Sequence, residues 1–361
     1  MARRQKQGRN SRPEMPNRRV TLKDLARDLG MSTATVSRAF YEHAAIADET
    51  RQTVLTRAAE LGYQANPFAR SLITRRTKIV GVVAADLTNP FYPEVLTKLT
   101  DRLQAIDLNV MLITAGPTTS MDEALKLLLQ YRPDIMVLLA ATLSSEAAAA
   151  CRRAETPLIF FNRHPAEDNS LAVVCDNIEG GRAAARHLLG LGHRRVAYVA
   201  GRPDVSTTVE RWKGFRKVCK RRGLDAPVYQ EAGAFTYEAG YGAAMRLLRG
   251  RNPPRAIFCG NDILAIGFMD AARREFGLDI PRDLSVIGFD DIAMASWPSH
   301  ALTTIRQPVD QMLDLVVAFV QSPVHKGHPK VTRIQGTLIE RATTGPRRRA
   351  AARPAAARVS A

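Results

Sequence analysis

Between Ser32 and Phe40 the residue types and their spacing describe a surface for reading a polyanion. Val36, Ala39 and Phe40 recur at helical spacing and would share a buried side, which turns Thr33, Ala34, Ser37 and Arg38 to the opposite face. Methyl groups suit thymine, hydroxyls suit phosphate oxygens, and a guanidinium matches guanine O6 and N7, so this face fits a DNA major groove. Such a helix must be held by others. Thr21 is a natural N-cap, with Asp24 three residues on able to return a capping-box bond. Leu22, Leu25, Ala26 and Leu29 then form one apolar face, Gly30 permits a tight turn, and Ser32 caps the second helix. The result reads as a helix-turn-helix. Residues 48–62 predict a third, well-capped helix that closes a small core.

The charge distribution points to the same partner. The chain has 361 residues with 52 Lys and Arg against 35 Asp and Glu, a net charge of +17. Met1 to Lys78 carries 16 basic and 7 acidic residues, and the segment from Pro346 onward carries five Arg and no acid. The stretch between them is nearly neutral, so a polyanion-binding head is joined to a body with another task. No apolar run approaches the ~20 residues that span a bilayer, and the first thirty residues are Arg-rich without a signal-peptide stretch, which predicts a cytoplasmic protein without membrane contact. Cys151, Cys175, Cys219 and Cys259 are scattered and expected as buried thiols.

Catalysis is not expected. The nucleophile-elbow, phosphate-loop and zinc-protease motifs are missing, as is any His/Cys cluster at metal spacing, so neither metal nor cofactor is predicted. The seven histidines are dispersed. Asp290 and Asp291 are adjacent on a strand-like run and point apart, poor geometry for a glycosidase pair.

From Lys78 onward, strand-like runs alternate with helical ones: KIVGVVA, NVMLITA, DIMVLLA, PLIFFN, LAVVCDN, RVAYVAG, AIFCG and LSVIGFD, most of them followed by an amphipathic stretch. This rhythm predicts parallel sheets covered by helices, divided by length into two α/β lobes. Ligands of such sheets bind at the carboxyl ends of the strands. Residues 1–19 and 346–361 are polar, basic and aperiodic, and no structure is expected of them.

The runs VTLKDLARDLGMSTATVSRAF, ADETRQTVLTRAAELGYQANPFARSL and TKIVGVV resemble the head and hinge of the lactose/galactose repressor (LacI/GalR) family of bacterial transcription regulators. The resemblance extends from Val20 to about Gly345. It implies that Thr33 and Ala34 read bases, that Ser37 and Arg38 contact backbone and base, and that Thr21, Ser32 and Thr35 belong to the same DNA-facing set. It also implies a hinge helix over Asn66 to Leu72, with Asn66, Ala69 and Arg70 against DNA and Leu72 wedged into the minor groove at the centre of a palindromic operator.

For the body, the resemblance implies a periplasmic-binding-protein-like domain of two lobes, an effector cleft between them and three crossovers. Arg211, Asn261 and Asp290 fall where the family contacts its effector, Phe235 where an aromatic ring stacks on it, and Phe91, Tyr92, Asn162, Arg163 and Phe258 lie in matching stretches near it. A guanidinium, an amide and a carboxylate can bracket adjacent hydroxyls, so the expected effector is a sugar or sugar derivative. Val205 stands where purine-binding members carry Arg, which disfavours a nucleobase. Tetrameric members use a C-terminal leucine heptad; the Ala/Arg/Pro tail has no leucine, so a homodimer is expected.

The expected fold class is therefore an all-α helix-turn-helix head with a hinge helix, joined to an α/β two-lobed domain with parallel sheets. Its divisions are a basic extension 1–19, a DNA-binding domain 20–64, a hinge and linker 65–78, an effector-binding and dimerisation domain 79–345, and a tail 346–361. The expected function is a sequence-specific DNA-binding regulator, a repressor by type, controlled by a small effector. The alternative, a solute-binding protein without DNA function, would call for a signal peptide and no basic head.

Overall fold

The computed structural model describes residues 19–41, 44–66, 76–116, 119–139, 144–165, 171–322 and 331–347. The expectations for Ala69, Arg70 and Leu72, and for the terminal extensions apart from Arg19, Pro346 and Arg347, lie outside them. The chain divides into two compact units, Met1–Thr77 and Lys78–Ala361.

Three helices form the first unit: α1 (Leu22–Asp28), α2 (Thr33–Ala39) and α3 (Asp48–Glu60). Thr21 and Asp24 close the capping box of α1, Gly30 turns with φ +63°, and the Ser32 hydroxyl accepts from the Thr35 amide to start α2. Leu25, Ala26, Val36, Ala39, Val54 and Ala58 make the core, with the Phe40 and Tyr63 rings edge to face at its rim. A core this small needs polar ties. Arg57 donates to both carboxylate oxygens of Asp28, at 2.6 and 3.0 Å, and pins α3 to α1. Arg51 donates to the carbonyls of Ala39, Tyr41 and Ala44 and holds the α2–α3 connection. One expectation changes: α3 has Ala47 as its N-cap and no side-chain capping bond. Asp48 and Glu49 lie inside its first turn, where they oppose the positive end of the helix dipole without capping it.

The second unit holds two six-stranded sheets. Lobe 1 contains β1 (Ile79–Ala84), β2 (Asn109–Thr114), β3 (Ile135–Leu139), β4 (Leu158–Phe161), β5 (Leu171–Cys175) and β11 (Val331–Ile334), in the spatial order β11-β5-β4-β3-β1-β2. Lobe 2 contains β6 (Val196–Ala200), β7 (Val228–Glu231), β8 (Ala256–Cys259), β9 (Ser285–Asp290), β10 (Thr303–Arg306) and β12 (Thr337–Ile339), in the order β12-β10-β9-β8-β6-β7. All pairings are parallel except β10 with β12. Completely buried runs such as IMVLL in β3 and VAYVA in β6 are what a sheet covered on both faces requires.

Helices α4 (Phe91–Gln104), α5 (Met121–Leu129), α6 (Ser145–Arg153) and α11 (Val309–Gln321) accompany lobe 1. Helices α7 (Asn177–Gly190), α8 (Ser206–Arg221), α9 (Tyr237–Leu248) and α10 (Asp262–Phe276) accompany lobe 2. The chain therefore passes between lobes after β5, after β10 and after β11, giving three crossovers. Because the strand ends of both sheets feed these crossovers, the residues after β1, β4, β9 and β10 are brought to a common cleft.

Candidate DNA-reading face and effector cleft

In the head, packing decides which residues remain available. With Val36 and Ala39 buried against α1 and α3, Thr33, Ala34 and Arg38 are exposed on α2, while Ser37 and Thr35 are half-buried. Thr21, Ser32 and Asn66 are exposed as well. Ser32 and Thr35 share a 2.8 Å hydroxyl contact, so both are tied to starting the helix before any DNA is met.

In the body, the cleft is built around a buried ion pair. Arg211 on α8 is 2% exposed; its Nε donates to Asn177 Oδ1 at 2.8 Å, one Nη donates to the Gly260 carbonyl, and the guanidinium lies 3.5 Å from the centre of the Phe289 ring. Its other Nη stands 3.7 Å from Asp290 Oδ1, close enough for charge pairing and too far for a good hydrogen bond. Asp290 accepts from Gln307 Nε2 at 2.7 Å and from the Asn89 side chain. Burial raises its carboxyl to about 6, against the opposing pull of Arg211, Gln307, Arg163 and Asn89. Asn89 and Arg163 come from lobe 1, Arg211 and Asp290 from lobe 2, so the two lobes meet at one carboxylate.

A second pair lies beside the first. Buried Arg163 donates to Asp86 Oδ2 at 3.2 Å, and its guanidinium sits 5.2 Å from the centre of the Phe235 ring across the cleft. Asn162 donates to the Tyr92 hydroxyl at 2.9 Å. Burial raises the Tyr92 phenol, which keeps it a neutral donor and acceptor. A cavity of about 390 Å³ opens beside Asp290, walled by Phe91 and Val95 of α4 and by Gln307 and Pro308 at the β10 crossover.

The backbone here is unusual. Asp86, Asn162, Asp290 and Asp291 all have left-handed φ, at +57°, +68°, +120° and +60°. Such conformations cost about 1–3 kcal/mol each and persist where surrounding contacts over-determine them, commonly at ligand sites. All four follow or end a strand of the cleft.

Among the described residues, Asn162 Oδ1, Arg211 Nη2, Asn261 Nδ2 and Gln307 Oε1 are buried polar atoms of the cleft without a hydrogen-bond partner. Buried groups of this kind cost about 1–3 kcal/mol apiece when left unmade. Asn261 is half committed, because its Oδ1 accepts from the Leu264 amide and caps α10.

Not every expected residue reaches the cleft. Phe258 is the third residue of β8 and lies in an aromatic core with Tyr198 and Phe215, at centroid distances of 5.2 and 5.4 Å, so it supports the site from behind. Phe91 is shared between the lobe 1 core, edge to face with Tyr92, and the cavity wall. Asn89, Asn177 and Gln307 were not singled out from the sequence and are central here. Gly201 was also overlooked: a Cβ there would stand 2.4 Å from the Phe235 ring, so the missing side chain is what seats that ring. Asp262 positions the Asp290 loop, accepting from the Thr304 hydroxyl at 2.5 Å and the Ile292 amide at 2.9 Å, and burial holds its carboxyl far above the usual range.

Residues 21–66 match the family described as bacterial regulatory proteins, lacI family, and residues 185–344 match a periplasmic binding protein-like domain. The ribose operon repressor of Escherichia coli (strain K12) is 31% identical over 323 residues, covering 89% of this chain and 98% of its own. The chain belongs to the LacI family. Among solved structures, the lac repressor dimer bound to operator and the anti-inducer ONPF aligns with a TM-score of 0.80 at 25% identity, over 91% of this chain and all of its own. A LacI-family regulator from Enterococcus faecium with bound ribose aligns with a TM-score of 0.67 at 27% identity, over 75% of this chain and all of its own. The LacI-family chain is accordingly a DNA-binding transcriptional regulator and not an enzyme. Among the described residues no His/Cys/Asp/Glu group could hold a metal ion, and no helix is long and apolar enough to cross a membrane.

Proposed function

We propose that this LacI-family regulator works in the cytoplasm as a homodimeric repressor on a palindromic operator, and that a neutral, sugar-type effector in the interlobe cleft sets its operator affinity. The observation that carries the effector class is the mixture of unpartnered atoms among the described residues, with Asn162 Oδ1 and Gln307 Oε1 as acceptors beside Arg211 Nη2 and Asn261 Nδ2 as donors. A hydroxyl is both donor and acceptor, so a polyhydroxyl compound satisfies such a mixture, which a carboxylate or phosphate cannot. Charge balance favours neutrality too, since Arg211 is matched by Asp290 and Arg163 by Asp86. Phe235 supplies an apolar ring for the C–H face of a sugar.

The relatives support the same class: one is named a ribose operon repressor, and one solved neighbour holds ribose. DNA reading is assigned to Thr33, Ala34, Ser37 and Arg38 on α2, with Thr21, Ser32, Thr35 and Asn66 beside them and Ala69, Arg70 and Leu72 in the hinge. The lac repressor neighbour is described as a dimer on operator, which supports the dimer and the palindrome. Effector binding acts as a switch if it favours one lobe arrangement by a few kcal/mol.

Thermal-shift screening against D-ribose and other neutral sugars, sugar acids and purines, followed by an operator gel shift with the best compound, tests the proposal. Stabilisation by a neutral sugar that also changes the gel shift is expected. Stabilisation only by acids or purines would overturn the effector class.

A further inference from the structure

A second concave site lies in lobe 2, outside the cleft network of Arg211 and Asp290. Helices α7 and α8 pack backbone against backbone: a Cβ on Gly181 would stand 2.1 Å from the Arg211 carbonyl, and one on Gly214 2.0 Å from the Ile178 carbonyl. This close approach brings the outward faces of the two helices together. Between them lies a groove of about 480 Å³ lined by Glu179, Arg182 and Arg186 of α7, Lys217, Val218 and Arg221 of α8, and Arg222. Five cations thus share one hollow with one carboxylate.

That carboxylate is already occupied. Glu179 accepts from Arg182 at 3.1 Å and from Arg186 at 2.6 Å, and these partners, led by Arg186, hold it below the usual carboxyl range against the effect of burial. Among the described residues Lys217, Arg221 and Arg222 have no carboxylate within ion-pair distance. Among the described residues the Nε of Arg182 is likewise buried without a hydrogen-bond partner. The one acid of α8, Glu210, is engaged elsewhere with His164 and Arg333. A solvated helix face ordinarily mixes the two signs, and its cations find carboxylates three or four residues away. The dipole at the C-terminus of α8 favours Arg221 and Arg222, and Glu179 answers Arg182 and Arg186, yet Lys217 has no such account and the hollow keeps more cations than its one carboxylate neutralises.

We propose that the α7–α8 groove binds a small polyanion carrying two or more phosphate groups, as a site separate from the effector cleft. Guanidiniums grip phosphate oxygens through paired, charge-assisted hydrogen bonds, and Lys217 adds a point charge. A hollow of this volume holds a compact molecule on the scale of a sugar bisphosphate or a short polyphosphate.

Isothermal titration of the full chain with inorganic tripolyphosphate at low ionic strength tests this. Tripolyphosphate also meets the basic head, so the groove's share is read as the difference between the wild type and two variants, Arg182→Gln and the triple variant Lys217→Gln/Arg221→Gln/Arg222→Gln. These side chains line a surface groove, and unchanged circular dichroism and melting temperature verify the fold. Each variant is expected to weaken tripolyphosphate binding at least tenfold, with operator affinity altered less than twofold. A loss under twofold in both variants overturns the proposal. So does a triple variant that loses operator affinity tenfold while retaining tripolyphosphate, because the groove would then be a DNA contact.

Discussion

Replacing Asp290 with Asn is expected to make the effector-free body more stable while removing its response to sugar. The carboxyl titrates at about 6 in the fold, because burial outweighs the attraction of Arg211 and the hydrogen bonds from Gln307 and Asn89. Against an ordinary value of 3.8, ionising it inside the protein is about 3 kcal/mol harder than in the unfolded chain. A folded value raised above the unfolded one means that the contribution to stability is intact below 3.8 and is lost as pH rises through 6. Asn is a permanent stand-in for the neutral acid, and the shift to 6 already includes what Arg211 returns, so no separate penalty for that partner is added. The gain should grow from about 1 kcal/mol at pH 4.5 to about 3 kcal/mol above pH 7. At about 2–4 °C per kcal/mol, the melting temperature should rise by about 6–12 °C at pH 8. Calorimetry of wild type and variant across that range, with and without the best sugar from the screen, measures both effects. Binding should fall, because a ligand hydroxyl that donates to the carboxylate meets a weaker and half-inverted amide. A stability difference that does not vary with pH, or a variant less stable than wild type at pH 8, would refute the reasoning.

Four further outcomes are expected. His164, raised chiefly by its 3.3 Å contact with Glu210, which also accepts from Arg333, ties the segment after β4 of lobe 1 to α8 of lobe 2. Its stabilising contribution should be complete below the ordinary value of 6.5 and disappear as pH rises through the raised one; in melting curves the deficit of His164→Ala should shrink accordingly, and NMR titration of the ring reads the value directly. Gly214→Ala puts a methyl 2.0 Å from the Ile178 carbonyl and should cost about 1–3 kcal/mol in denaturant unfolding by forcing α7 and α8 apart. Ser32→Ala removes the cap of α2 and should cost the head about 1 kcal/mol, seen as weaker operator retention in a gel shift with unchanged sugar binding. Operator affinity of the wild type should fall steeply with salt, by about 0.9 in log K per decade for each phosphate neutralised, and a nearly flat titration would argue against DNA as the partner.

The head was legible almost residue by residue, because a helix-turn-helix is written in local signals. Thr21 and Ser32 cap within three residues, Gly30 turns, and the apolar period names Leu25, Val36 and Ala39 as core. In the body, the apolar runs located β1 to β6, β8 and β9. Strand β7 passed unnoticed, because it lies at a sheet edge and its VYQE pattern alternates without a continuous buried run. Strands β10, β11 and β12 were missed too, being three or four residues long and, unlike the equally short β4 and β8, interrupted by Thr and Arg or too brief to form an apolar run. Helices α6, α9 and α11 were passed over as well, the first so rich in alanine that its apolar face is faint.

By itself the amino-acid sequence determined a basic helix-turn-helix head, a body of alternating strands and helices, and the approximate positions of the cleft at the strand ends. All of these follow from interactions within a turn or two of chain, or from the period of apolar residues. Only the tertiary structure decided that Arg211 meets Asp290 at 3.7 Å, that Asn89 and Gln307 share the same carboxylate, that Phe258 belongs to the core, and that five cations of α7 and α8 share one groove. These residues come from segments far apart in the chain, and the backbone of Asp290, like that of Asn162 in the same cleft, adopts a conformation that local preference disfavours. Charge pairing, close helix packing and left-handed backbone depend on which distant surfaces the crossovers bring together, and no local pattern encodes that distance.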